Sequence, residues 1–250
     1  MALIGPLVTT GHVADGVVTL TMSDPATDNA LGEDMVRALK YAFEEVAGDP
    51  TARAIVLLGG EVFSSGAPRQ LLARFATGEL KPTEIWLPKV LLDCPIPVIA
   101  AMAGHAVGGG FALGLAADLV LIARESRYGF TFMNLGFSPG MGTTRLAEQV
   151  LSPAVAHELL YTGEMRRGAG FEGSSGFNAI LPAGGVVPHA LDLAMRIAEK
   201  PRAALEVLKR TLSLPRRRAF EESLTLEALM HQVTLASPET IRSLEVRDVE

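Results

Sequence analysis

The stretch GHAVGGGFALGLAADLVL, Gly104 to Leu121, sets three consecutive glycines, Gly108 to Gly110, before an apolar run with no charge until Asp118. Successive glycines let a backbone take unusual dihedrals and let a ligand come close to its N–H groups. At a helix N-terminus those donors have no partner and the helix dipole adds partial positive charge, so a developing anion is stabilised there. A plain tight turn uses the same residues, and the triplet alone does not separate the two readings. FSSGAPRQLL, Phe63 to Leu72, adds a second small-residue turn after the strand-like AIVLLGG. Two strand-end turns, each offering an N–H, can converge on one oxygen and form an oxyanion hole.

The segments around these turns have the periods of strands and helices. VVTLTM (Val17 to Met22), the end of ARAIVLLGG (Ala52 to Gly60), PVIAAM (Pro97 to Met102) and DLVLIA (Asp118 to Ala123) read as strands. Between the first two, LGEDMVRALKYAFEEV places Met35, Val36, Leu39, Phe43 and Val46 on one helical face. A further helix is predicted from about Gly109. This alternation predicts a layered α/β core with parallel crossovers. Beyond about Ser152 the pattern turns helical, in PAVAHELLY, ALDLAMRIAEK, AALEVLKRTL and FEESLTLEALMHQV. The reading is one continuous unit, with a core over residues 1–190 and a C-terminal helical region over 191–250.

Composition limits the function. The 250 residues are 48% hydrophobic and 20% charged, which suits a globular protein with a large core. A net charge of −6 argues against general affinity for nucleic acid. The one cysteine, Cys94, has no partner for an intrachain disulfide or a metal cluster, and the N-terminus lacks a signal-peptide pattern, so a cytoplasmic setting is expected. Cys94 to Ala117 carries no formal charge over a length that could cross a bilayer. Pro95, Pro97 and the glycines divide it into strand, turn and helix, so no membrane span is expected.

The ordered set NAL (Asn29 to Leu31), FSSG, IPVIAAMAGHAVGGGFALG, AADLVLIARES, GFSPGMGTTRL and EKPRAALEVLK resembles the crotonase (enoyl-CoA hydratase/isomerase) superfamily over nearly the whole chain. The resemblance implies an α/β fold with a crotonase-like ββα spiral core and a C-terminal helical region for trimerisation and active-site cover. It also implies a phosphopantetheine thioester whose oxygen sits between the backbone N–H groups of Ala67 and Gly109. No metal or resident cofactor is implied.

The hydratases of this family carry two catalytic glutamates, and the matching positions here are Ala112 and Phe132. Neither side chain moves a proton, so the acid and base that hydration requires are missing. An apolar pocket with oxyanion donors suits decarboxylation instead. Loss of CO₂ from a carboxylate vinylogous to a thioester leaves a dienolate whose charge reaches the thioester oxygen. DCPIPVIAAMAGHAVGGGF, SRYGFTFMNLGFSPGMGTTRL and LEALMHQVT are similar to the decarboxylating crotonase homologues of polyketide β-branching. That branch converts 3-methylglutaconyl on an acyl carrier protein to 3-methylcrotonyl.

The side chains expected at the site follow from this resemblance. His231, in an MHxxT match, is the candidate for handling the proton, and Lys89 for holding the carboxylate or donating the proton. Trp86, Ala112, Phe132 and Asn134 are expected around the acyl group. His105 and Tyr128 read as structural. The cluster KRTLSLPRRR, with Arg216, Arg217 and Arg218, is either a solvated helix end or a dock for an acidic acyl carrier protein. Two alternatives stay open: an enoyl-thioester isomerase, and a catalytically silent homologue that binds acyl carriers.

Overall fold

The computed structural model describes residues 6–82 and 86–245. The expected strands appear as β2 (Val17–Met22), β3 (Ala54–Leu58), β5 (Val98–Met102) and β7 (Leu119–Ala123), with β1 (Val8–Ala14) and β10 (Ala179–Leu181) at the edges. They form one six-stranded sheet in the order β1-β2-β3-β5-β7-β10. The β1–β2 pair is an antiparallel hairpin, and every other pairing in this sheet is parallel. Four short strands, β4 (Val62–Ser64), β6 (His105–Val107), β8 (Arg127–Gly129) and β9 (Met165–Arg167), make a second sheet.

The chain therefore repeats a ββα unit, in which one strand joins the large sheet and the next joins the small sheet. β3 and β4 lead to α2 (Arg69–Ala76), and β5 and β6 lead to α4 (Gly109–Leu115). The remaining helices are α1 (Glu33–Gly48), α3 (Pro88–Asp93), α5 (Thr143–Val150), α6 (Pro153–Thr162), α7 (Ala183–Ala198), α8 (Arg202–Leu212), α9 (Leu214–Thr234) and α10 (Pro238–Glu245). No described helix is long and apolar enough to cross a membrane.

Alternation along the strands explains why the large sheet is buried on both faces. Leu20, Ile55, Leu57, Val98, Ala100 and Ile122 point into the main core with α1 and α4. Their neighbours Val56, Ile99, Ala101, Leu121 and Ala123 pack on the other side against Val186, Ala190, Ala194 and Ala198 of α7. The small side chains of α7 recur every four residues, so the helix lies close along the sheet. That packing corrects the expected boundary at 190/191, which falls inside α7. The helices that leave the sheet begin with α8.

One buried and two half-buried cations fasten these helices to the core. Lys209, on α8 and 4% exposed, donates from Nζ to the carbonyls of Leu91 (3.0 Å) and Ile96 (2.8 Å), and pairs with Asp118 at 2.8 Å. Arg216 bonds the carbonyls of Ala116 and Ala117 and pairs with the other oxygen of Asp118. Arg217 donates twice to the Leu92 carbonyl, at 3.0 and 2.8 Å. The basic cluster expected either at a solvated helix end or at a carrier dock is thus largely a set of internal staples. Of its three arginines only Arg218 is exposed. Asp118 ends the charge-free run because it is the shared anion at the end of α4 where α8 and α9 attach.

Removing one member of a buried ion group leaves its partners desolvated and uncompensated. Asp118→Ala is expected to lower the unfolding free energy by about 3 kcal/mol or more. Arg218→Ala is expected to change it by less than about 0.5 kcal/mol, since exposed positions contribute little. Urea denaturation of the two variants beside the parent checks both figures.

Candidate active site

The two small-residue turns meet. Ser64 at the end of β4 donates its hydroxyl to the Asn29 carbonyl at 2.8 Å and accepts the Gly66 N–H at 3.2 Å. Asn29 in turn donates from Nδ2 to the Val62 carbonyl at 2.9 Å, and the Leu31 N–H bonds the Gly66 carbonyl at 2.8 Å. The NAL segment thus laces the turn that leads to α2. Gly66 has φ +84°, and a Cβ there would lie 2.7 Å from the Val107 carbonyl oxygen and 3.4 Å from the Gly109 nitrogen. Only glycine allows both the dihedral and the approach.

The second turn is equally tight. Gly108 has φ +52° and donates to the Gly129 carbonyl at 2.8 Å, while its own carbonyl accepts the Ala112 N–H. A Cβ on Gly110 would lie 2.6 Å from both Cβ and O of Ser64, so α4 can touch β4 only where that position is glycine. Among the described residues, neither the Ala67 N–H nor the Gly109 N–H has an acceptor. Two unpaired backbone donors beside apolar walls are a costly arrangement unless a ligand satisfies them.

Both residues line one cavity of about 100 Å³ with Gly66, Gly108, Leu72, Phe75, Trp86, Phe132, Phe137, Met141 and His231. An outer cleft of about 490 Å³ shares Phe75, Pro82, Trp86, His231 and Leu235 with it, and adds Lys81 and Glu227. The inner space suits a short acyl group and the outer one a longer arm. Phe132 stacks on Phe130, with ring centroids 6.3 Å apart, and meets Phe137 edge-on at 5.9 Å.

Of the expected side chains, the structure brings His231, Trp86 and Phe132 to the inner wall with Ala67 and Gly109. It does not bring the others. Lys89, on α3, is exposed and pairs with Asp93 one helical turn away, facing a separate surface depression. Among the described residues, no lysine or arginine lines the inner cavity. Ala112 is buried on α4, outside the lining. Asn134 is exposed and donates to the Gly163 carbonyl at 2.8 Å, holding the end of α6.

Two groups expected to be structural are so. Tyr128 donates its hydroxyl to the Met102 carbonyl at 2.6 Å and accepts the Ala123 N–H, and burial pushes its pKa up to about 12. His105 accepts the Arg127 N–H at Nδ1.

His231 is 8% exposed, and its Nε2 lies 3.1 Å from the Ser138 carbonyl oxygen. A carbonyl only accepts, so the proton sits on Nε2. Burial holds the imidazole pKa below its ordinary value, although the Ser138 and Pro139 carbonyls favour the charged ring. The resting ring is therefore neutral at pH 7.

Glu227 was not among the expected site residues. One turn before His231 on α9, it is 1% exposed and accepts the Gly142 N–H (2.8 Å), the Thr144 N–H (3.0 Å) and the Thr144 hydroxyl (2.7 Å). Burial raises its pKa to about 6 against these three donors. The spacing E-x-x-x-H in LEALMHQVT was the available signal, since i and i+4 share a helix face.

The fold agrees with that of the chain's relatives. The enoyl-CoA hydratase/isomerase family model matches residues 12–247. The bacillaene synthase decarboxylase PksI of Bacillus subtilis is 38% identical over 224 residues, covering 89% of this chain and 90% of that protein. A solved chain of a dehydratase/decarboxylase enzyme couple involved in polyketide β-branching superposes with TM-score 0.93 at 35% identity, covering 98% of this chain and all of that one. The ECH2 decarboxylase domain of CurF from Lyngbya majuscula gives TM-score 0.89 at 36% identity, covering 96% and 98%.

The Glu227 shift has a sign that can be tested. A carboxyl whose folded pKa lies above its unfolded value favours the folded state below about pH 4.5, and that contribution is lost as pH rises to about 6. The loss is on the order of 2 kcal/mol for a shift of this size. Glu227→Gln is expected to remove it. The difference between the parent and Glu227→Gln unfolding free energies, measured by urea titration from pH 4.5 to 6.5, should fall with pH by that order.

Proposed function

Because the chain belongs to the enoyl-CoA hydratase/isomerase family, we propose that it decarboxylates 3-methylglutaconyl on an acyl carrier protein to 3-methylcrotonyl during polyketide β-branching. The observation that carries this reading is the pair of unpaired N–H groups, Ala67 and Gly109, on a cavity whose described wall has no carboxylate and no lysine or arginine. The two donors are assigned to the thioester oxygen as its oxyanion hole. The likeness to PksI and to the CurF decarboxylase domain supports the same chemistry.

The C4–C5 bond of the acyl group breaks, CO₂ leaves, and the electron pair spreads through C4, C3 and C2 onto the thioester oxygen. That charge arrives where the two N–H groups point, so they stabilise the transition state more than the reactant. The departing carboxylate meets Phe75, Trp86, Phe132 and Phe137 rather than water, which raises the reactant relative to the delocalised anion. His231 supplies the proton that completes the product. Its ring is neutral when the site is empty, and an incoming carboxylate favours the imidazolium, so substrate anion and proton enter together. After CO₂ departs, the imidazolium hands that proton to the dienolate carbon and returns to neutral.

A homotrimer, a cytoplasmic setting and delivery of the acyl group by a carrier protein belong to the same reading. Exposed Leu208 and Leu212 on α8, and Leu226, Leu229 and Val233 on α9, support an assembled state, because large apolar side chains in rows seek a partner surface. Analytical ultracentrifugation is expected to give three times the chain mass.

The decisive experiment incubates the protein with 3-methylglutaconyl-loaded carrier protein and reads the acyl mass. Loss of one CO₂ is expected. A shifted double bond with no mass change points to an isomerase, and an unchanged acyl group to a silent carrier-binding homologue. His231→Ala is expected to slow turnover by roughly 10² to 10⁴, as removal of a proton donor does, with carrier affinity unchanged. No hydration of crotonyl thioester is expected, and a measurable hydratase rate in the native protein would falsify the assignment.

A further inference from the structure

α9 grips the loop between Ser138 and Thr144 at three points along one face. Thr234 Oγ1 accepts the Ser138 N–H at 3.2 Å and bonds its hydroxyl at 3.0 Å, His231 donates to the Ser138 carbonyl, and Glu227 takes the donors of Gly142 and Thr144. Glu227, His231 and Thr234 stand at i, i+4 and i+7, so the near end of the loop has two fasteners and the far end has the carboxylate. Between them lies Met141, with φ +64° in a residue that is not glycine. A left-handed backbone of that kind is strained by roughly 1–2 kcal/mol. Something must hold it.

What the strained residue carries is functional. The Met141 side chain lies against Gly109, whose added Cβ would meet Met141 Cγ and Cε at 3.8 Å, and it forms part of the inner cavity wall. The next residue, Gly142, also has positive φ, and its N–H goes to Glu227. Gly140 lies under the His231 ring, where a Cβ would come within 2.8 Å of Cε1. Any relaxation of the loop therefore moves the floor under His231 and the side chain beside the Gly109 N–H at the same time.

We propose that Glu227 is a positioning residue: its carboxylate clamps the Ser138–Thr144 loop to α9, so that His231 and Met141 hold their places beside the unpaired N–H groups. This rests on the decarboxylase reading for its kinetic consequence and on geometry alone for its structural one. Glu227 does not touch the acyl group. It acts through the loop and through the ring one turn further along its own helix.

The test pairs kinetics with a readout that needs no turnover. Glu227→Gln is expected to lower kcat about tenfold or more while KM stays within about threefold, because an interaction felt in the transition state is lost and not one of binding. The same change made in a His231→Ala background is expected to alter kcat less than about twofold, the non-additivity of residues acting as a unit. Thr144→Ala, which removes one of the three donors and leaves the backbone bonds, is expected to show a smaller fall in the same direction, and it serves if the glutamine variant does not fold. The ¹⁵N NMR signals of the His231 ring are expected to report the Nε2–H tautomer in the parent and a mixture in the variants. Unchanged kcat, a full additive loss on top of His231→Ala, or ring signals identical to the parent's would each overturn the proposal. If the protein decarboxylates nothing, the NMR comparison still decides the clamp.

Discussion

Among the described residues, the N–H groups of Ala67 and Gly109 stand without an acceptor on an apolar pocket, and the turns that carry them are built around that arrangement. Buried backbone donors in proteins are ordinarily paired. Keeping Ala67 and Gly109 bare demands that the turns after β4 and β6 press together, which explains the glycines at 66 and 110, where a methyl group would strike Val107 or Ser64. It also explains the lacing by Asn29 and Ser64, since a turn with an unused donor needs its other polar groups fixed. The ββα repeat supplies the geometry by placing two strand-to-helix turns side by side from adjacent units.

Charge follows the same logic. The structure buries charged groups off the described wall of the inner cavity, where they fix elements to one another. Asp118 with Lys209 and Arg216 locks α8 and α9 beneath α4, and Glu227 locks α9 to the start of α5. Each is desolvated, and each is satisfied by backbone groups or an opposite charge, the condition under which burial is tolerated. α9 can then carry His231 to the pocket with little freedom to move.

What could be read from the sequence was whatever has a local period or a local turn. Strands β2, β3, β5 and β7 emerged from their apolar runs, and the paired turns emerged from glycine and serine clusters that no regular element accommodates. Lys89 could not be placed, because its direction depends on how a six-residue helix is set against the core, and nothing in WLPKVLLD fixes that. Arg216 and Arg217 looked like surface charge because their partners are carbonyls at the ends of α3 and α4, which composition does not reveal. Nothing local in LEALMHQVT marks Glu227 as a fastener, since its partners lie more than eighty residues away. The boundary inside α7 failed for a similar reason: Ala190, Ala194 and Ala198 look neutral until the sheet beneath them is known.

The replacement of both glutamates by Ala112 and Phe132 also has an electrostatic side. A hydratase activates water, an uncharged reactant, and can hold carboxylates beside the acyl chain. A substrate that carries its own carboxylate cannot share a dry pocket with another, because two anions within a few ångströms disfavour each other's ionisation. A protonated carboxyl loses CO₂ poorly, since the electron pair stays in the O–H bond. On the proposed reading, an aromatic ring at position 132 adds no second anion and deprives the substrate of water, and it is the His231 imidazolium that keeps the substrate carboxylate ionised. The only ionisable side chain on the described inner wall is His231, which on the proposed reading gains charge of the opposite sign when the substrate arrives.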